Sequence, residues 1–227
     1  MPPLPTSMDA PSQVGCDKLS LKSCFLGTFD EARLKQGQGV YVWVSEPNED
    51  GDRTEIARYE GSYVDGVKSG IGKLVFPNGD LYEGEFRDNL MHGVGSYTYK
   101  ASQDIYSGEW SNGKKHGQGR YEFFADKSML SGSWEKGFMV AGDWELKDFA
   151  VFSGTFRQGV PVGPGRFTFK SGLVLPGSFE ETLPDKGPEE SQEREPEEDG
   201  EGEAAPAEDI PAEPPIVHWR GESIVSF

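Results

Sequence analysis

From Phe25 to Glu180 the chain alternates apolar and polar residues with a period of two, and glycine interrupts the alternation at regular places. In Tyr82-Glu83-Gly84-Glu85-Phe86 this period puts Tyr82, Gly84 and Phe86 on one face of a strand and both glutamates on the other. The same pattern, an aromatic or Leu two before a Gly and an aromatic two after, recurs about Gly27, Gly61, Gly84, Gly108, Gly132, Gly154 and Gly177. The separations are 34, 23, 24, 24, 22 and 23 residues. A Gly-x-Gly sequence follows as Gly37-Gln38-Gly39, Gly70-Ile71-Gly72, Gly93-Val94-Gly95, Gly117-Gln118-Gly119 and Gly163-Pro164-Gly165. Apolar residues stand four and six positions after its first glycine: Tyr41 and Trp43, Leu74 and Phe76, Tyr97 and Tyr99, Tyr121 and Phe123, Phe167 and Phe169. The fifth unit has Val140-Ala141-Gly142-Asp143 in its place. Short polar stretches such as Asp88-Asn89 and Ser111-Asn112-Gly113 join the two sequences and are of hairpin type.

Each unit is therefore expected to be a β-hairpin, and consecutive hairpins give an all-β, elongated, single-layer antiparallel β-meander. Each unit adds roughly 10 Å to its length. Such a ribbon is held by contacts between neighbours and is a solenoid in energetic terms. The two glycines of each second strand are expected to share a face with its aromatics and to leave room for rings of the neighbouring strand. The long first interval holds a polar insertion from Ser45 to Arg58. The aromatic face and the two terminal edges point to protein binding, with Tyr41, Trp43, Tyr82, Phe86, Tyr97, Tyr99, Tyr106, Trp110, Tyr121 and Phe123 as candidate contacts. The terminal edges also allow two copies to pair edge to edge. No helical pattern follows any Gly-x-Gly, so a phosphate-cradling loop is a poor reading of them.

Composition divides the chain. Residues 25 to 180 hold 25 of the 30 glycines and 25 of the 27 aromatics. Residues 181 to 227 hold 15 acidic and 3 basic side chains, so −12 of the net charge of −17 belongs to them. The expected organisation is a partly extended leader over 1–24, the repeat sheet over 25–180, an acidic Pro/Glu-rich disordered linker over 181–215, and an apolar docking segment over 216–227 that carries Trp219 and Phe227. The acidic balance disfavours nucleic acid and membrane surfaces as partners. No run approaches 18 apolar residues and the N-terminus has no secretory pattern, which predicts neither a spanning helix nor a signal peptide. Cys16 and Cys24 are too few for a disulfide framework and are expected to be reduced, in an intracellular compartment.

Catalytic chemistry finds no footing in this pattern. His92 and His116 occupy equivalent positions in successive units and are expected to hydrogen-bond across their hairpins; no Cys or carboxylate recurs beside them at metal-ligand spacing. No Ser lies in a nucleophile elbow, and Glu83 and Glu85 read as solvated charges. Lys114-Lys115 stands without the cluster a phosphoinositide site needs. No cofactor and no metal are expected, and the chain is expected not to be an enzyme.

Tyr106-Ser107-Gly108-Glu109-Trp110-Ser111-Asn112-Gly113-Lys114-Lys115-His116-Gly117-Gln118-Gly119 resembles the MORN repeat. The order of a degenerate fifth unit, Phe152-Ser153-Gly154-Thr155-Phe156, then Pro161-Val162-Gly163-Pro164-Gly165-Arg166-Phe167 and an acidic tail is similar to that of MORN-repeat subunits of the ciliary radial-spoke head. This resemblance implies a non-catalytic axonemal subunit that binds other spoke-head proteins and serves signalling between central pair and spokes. The alternative it leaves open is a MORN-type adaptor tethering a complex to membrane phospholipid or the cytoskeleton.

Overall fold

The structure is a computed structural model that describes residues 14–15, 23–182 and 216–221. They form one antiparallel sheet of 15 strands in sequence order. The strands are β1 (Val14–Gly15), β2 (Ser23–Phe29), β3 (Lys35–Val44), β4 (Glu55–Val64), β5 (Val67–Val75), β6 (Leu81–Arg87), β7 (Leu90–Thr98) and β8 (Ile105–Ser111). They continue with β9 (Lys114–Glu122), β10 (Met129–Glu135), β11 (Phe138–Leu146), β12 (Ala150–Arg157), β13 (Val160–Phe169), β14 (Val174–Thr182) and β15 (Ile216–Gly221). No helix occurs among the described residues. At ~4.8 Å per strand the meander extends about 70 Å across its strands.

Two-residue turns close the hairpin of units two to six. Asp65-Gly66, Asp88-Asn89, Asn112-Gly113, Lys136-Gly137 and Gln158-Gly159 all have positive φ at both positions. That is the type I′ geometry, whose twist matches the flanking strands. Beside these turns the register slips by a bulge, next to Gly27, Gly61, Gly84, Gly108 and Gly154 and, in the fifth unit, between Ser133 and Trp134.

Several boundaries differ from expectation. The first repeat strand begins at Ser23, and β14 runs through Thr182, so the start of the expected linker is strand. The Ser45–Arg58 insertion lengthens a hairpin: Val42 pairs with Arg58 and Trp43 with Ala57, and the loop is closed by Ser45 N–H donating to Thr54 O at 2.8 Å. Cys24 is disulfide-bonded, which corrects the expectation of a reduced thiol. Cys16, most of the leader and residues 183–215 lie outside the described residues.

The core lies on one face. Tyr59, Tyr63, Tyr82, Phe86, Tyr97, Tyr106, Trp110, Trp134, Phe152 and Phe156 are all buried, although the sheet is a single layer. Area removed from water at about 25 cal/mol per Å² is the main stabilising term for such rings.

Candidate protein-binding surface

Each tyrosine of the first strand lies across the glycine pair of its own hairpin. Gly84 faces Gly95 and Gly108 faces Gly119. A Cβ on Gly84 would stand 2.6 Å from the Tyr82 Oη, and one on Gly108 2.7 Å from the Tyr106 Oη. The ring that fills the bare space over the second strand's glycine thus comes from the neighbouring strand, as expected: Tyr82 of β6 lies over Gly95 of β7, and Tyr106 of β8 over Gly119 of β9. Tyr82 Oη donates to Glu85 O at 2.9 Å, sharing its one proton with His92 O at 3.3 Å; Tyr106 Oη donates to Glu109 O at 3.1 Å. Burial, helped by the nearby Glu85 and Glu109 charges, raises both phenols well above the ordinary tyrosine range.

The aromatic two residues after each central glycine stands edge-on between successive tyrosines. Tyr59–Phe86, Phe86–Tyr82, Tyr82–Trp110, Trp110–Tyr106 and Tyr106–Trp134 have centroids 5.0, 5.1, 5.3, 5.2 and 5.1 Å apart, in T-shaped geometry. Such contacts add about 0.5–1.5 kcal/mol each beyond area burial. Trp110 and Trp134 donate their indole N–H groups to Gly95 O and Gly119 O, tying each hairpin to its neighbour.

The first glycine of Gly-x-Gly has a different role from the second. Gly93 and Gly117 both have φ of 57°, at the bulge, where a Cβ would run into the carboxylate of Glu85 or Glu109. Glu85 accepts from Val94 N–H at 3.1 Å and Glu109 from Gln118 N–H at 2.9 Å. Glu85 is therefore a bulge cap and not a freely solvated charge, whereas exposed Glu83 pairs with Lys73 at 2.9 Å. His92 and His116 stand opposite Glu85 and Glu109, but His92 Nδ1 is buried without a hydrogen-bond partner, contrary to the expected cross-hairpin bond.

Two features were not anticipated. Lys115 is buried, its Nζ 4.8 Å from the Tyr121 ring centre and within 5.6 Å of Tyr99, Tyr106 and Trp134. Lys68 lies likewise over Trp43 and Tyr59. Cation–π attraction and the apolar stem explain why a lysine is tolerated there. The sequence signal was its recurrence: Lys68, Met91, Lys115 and Met139 all stand opposite the aromatic that follows the central glycine. The second feature is Asp80, buried in a turn, which accepts from Tyr97 Oη at 2.8 Å and Lys100 N–H at 2.7 Å. Asp104 repeats this with Tyr121 Oη at 3.0 Å and Phe124 N–H at 2.7 Å. An Asp two residues before the tyrosine in both units was the available cue.

The candidate contacts fall into three groups. Tyr82, Phe86, Tyr97, Tyr106 and Trp110 are at most 3% exposed and present almost no surface to a partner; they are packing residues, as are the seven glycines. Tyr41, Trp43, Tyr99, Tyr121 and Phe123 are half-buried along the outer margin of the ring face. Trp219 packs within this chain, and Phe227 lies outside the described residues. The opposite face carries exposed apolar side chains that alternation alone hid among polar positions: Leu26 is 50% exposed, Ile71 67% and Val94 62%. With Val40 between them, Leu26 and Ile71 line a shallow groove rimmed by Glu60, Lys73 and Glu83.

Glycine-paired hairpins stacked through tyrosines and edge-on rings define a β-hairpin repeat protein. The MORN repeat family model matches it at residues 34–46, 59–81, 82–101, 106–124 and 152–174. These five segments are similar to the MORN repeat, and the similarity suggests a protein-interaction or membrane/cytoskeleton adaptor role.

Proposed function

We propose that the chain is a structural subunit of the radial-spoke head of the ciliary axoneme, binding other spoke-head proteins through its MORN sheet. The observation that carries this is the pairing of a degenerate fifth unit with the Val162-Gly163-Pro164-Gly165 unit that follows it. In the fifth unit Leu130 stands where units two to four have tyrosine, and Met139 fills the space over Gly142. In the sixth, Phe152 lacks the phenol that bonds the bulge in units two to four; Thr155 Oγ1 donates to Val162 O instead, at 2.7 Å, and Thr28 Oγ1 donates to Gln36 O in the same way in the first unit. A partner is expected to meet the margin of half-buried rings from Tyr41 to Phe123 and the shallow groove lined by Leu26, Val40 and Ile71.

Crosslinking mass spectrometry on isolated axonemes tests the assignment. Crosslinks from Lys73 and Lys127 to spoke-head subunits are expected. A chain found only in the detergent-soluble pool, or crosslinked only to non-spoke proteins, would refute it. Flotation with anionic liposomes at physiological salt tests the adaptor alternative; clear binding there would reverse the order of the two readings.

A further inference from the structure

The last strand completes a hairpin whose first strand lies far away in sequence. In the first six units a glycine of one strand faces a glycine of the next, as Gly84 faces Gly95 and Gly154 faces Gly165. Among the described residues the next strand after β14 is β15, with residues 183 to 215 between them. β15 supplies the missing half, with Gly177 facing Gly221 and Phe179 facing Trp219. Trp219 so takes the place that Met91 holds against Phe86 and Met139 holds against Trp134. Its ring lies 4.9 Å from Phe167, 5.0 Å from Phe179 and 6.0 Å from Phe152. On the other face Arg220 Nε is 3.1 Å from Glu180 Oε2.

The replacement is weaker than the strands it imitates. No two-residue turn joins it to β14. The buried indole N–H of Trp219 has no hydrogen-bond partner, whereas those of Trp110 and Trp134 are both satisfied by glycine carbonyls. An unmade buried hydrogen bond carries the full desolvation cost of the donor. Among the described residues β15 is also the outermost strand, so it is packed by a neighbour on one side only.

We propose that the β14 edge is a strand-acceptor site, that β15 is its exchangeable resident, and that the site takes in trans an extended peptide of the order aromatic, basic, small. The aromatic residue would sit against Phe167 and Phe179, the basic one against Glu180, and the small one opposite Gly177. Main-chain pairing supplies affinity in such strand addition, and the alternate side chains supply selectivity. Gly177 is essential to it, because a Cβ there would meet the Trp219 Cζ2 at 2.5 Å. A Cβ at residue 221 would meet Leu175 at 3.4 Å, so the partner residue need only be small. The tether holds β15 at an effective concentration on the order of 1 mM, so a free strand must outcompete a strong local rival. This holds whichever assembly the chain serves.

The test uses the full chain and a fluorescein-labelled synthetic peptide of residues 214–227, read by anisotropy. A Trp219→Ala/Arg220→Glu chain, whose own strand is weakened, is expected to bind the peptide at least about tenfold more tightly than the natural chain. Adding Gly177→Val should abolish that binding. Equal binding by both chains, or none by the weakened chain, overturns the proposal. Hydrogen exchange on the natural chain adds a readout free of any variant's folding. Amides of residues 217–221 should exchange at least about tenfold faster than those of β13; exchange at the same rate would mean that β15 does not leave, and the proposal fails.

Discussion

Gly95→Ala offers a direct measure of the tyrosine-over-glycine packing. The three atoms nearest to a Cβ at Gly95 all belong to the Tyr82 ring, with Cζ at 2.5 Å and Cε2 at 2.6 Å. Ordinary carbon contact is about 3.5–4.0 Å, so the ring must retreat by roughly 1 Å. Retreat breaks the bonds from Tyr82 Oη to Glu85 O and His92 O and loosens the edge contacts with Phe86 and Trp110. Overpacking of this kind costs about 1–3 kcal/mol, a lost hydrogen bond about 1, and each loosened ring pair up to about 1. A loss of about 3–4 kcal/mol is expected, a large share of a typical folding free energy of about 5–15 kcal/mol. Tyr82→Leu removes the obstacle, as Leu130 does in the fifth unit. In that background Gly95→Ala should cost under about 1 kcal/mol, since alanine orders a strand more cheaply than glycine. Urea denaturation of the four chains gives the coupling, expected at about 2–3 kcal/mol. Additivity within about 0.5 kcal/mol would refute the account.

Other consequences are separable. Lys115→Met should leave the melting temperature nearly unchanged, since Met91 and Met139 serve the equivalent place, whereas Lys115→Glu should cost more than about 3 kcal/mol by burying an unpaired charge against ring faces; a tolerated glutamate would sink the cation–π account. Asp80→Ala should lose about 2–3 kcal/mol by removing the carboxylate that accepts from Tyr97 Oη and Lys100 N–H, and Asp80→Asn less than half of that; equal losses in thermal melts would show that the carboxylate geometry is immaterial. The raised Tyr82 and Tyr106 phenols mean that the folded chain holds more protons than the unfolded chain above pH ~10, so stability is intact below that pH and falls above it. The slope is at most about 1.4 kcal/mol per pH unit for each ring. Absorbance at 295 nm in melts between pH 9 and 11.5 should show unfolding and phenol ionisation together; an unchanged melting temperature at pH 11.5 would contradict the burial argument.

The meander and its hairpins were legible because alternation and turn residues are local properties. Asn112-Gly113 names its own turn, and Gly84 two residues from Tyr82 names its own face. The faces on which residues act were harder. Glu85 and Glu83 look alike in sequence, yet the bulge beside Gly84 turns one inward to bind Val94 N–H and leaves the other with Lys73. Lys115 reads as polar by type but lies under four rings, because its long stem crosses from the strand to the ring row. Alternation places Tyr82 and Trp110 on the ring face but does not say which rings of that face stay accessible to a partner; both are buried. Rings that lie flat over glycines and abut edge-on seal one another without a second layer. The β14–β15 pairing joins residues across a long gap, and period-two patterning carries no information about such distances.

The bulge beside the central glycine recurs in five hairpins at the same height on the sheet. A bulge bends its strand and deepens the local twist. Because these five bends fall at the same register position of their hairpins, they add along the ribbon instead of cancelling. The number of units then sets an arc as well as a span, and inserting or removing one hairpin would swing whatever is attached at the far end through a fixed angle as well as moving it about 10 Å.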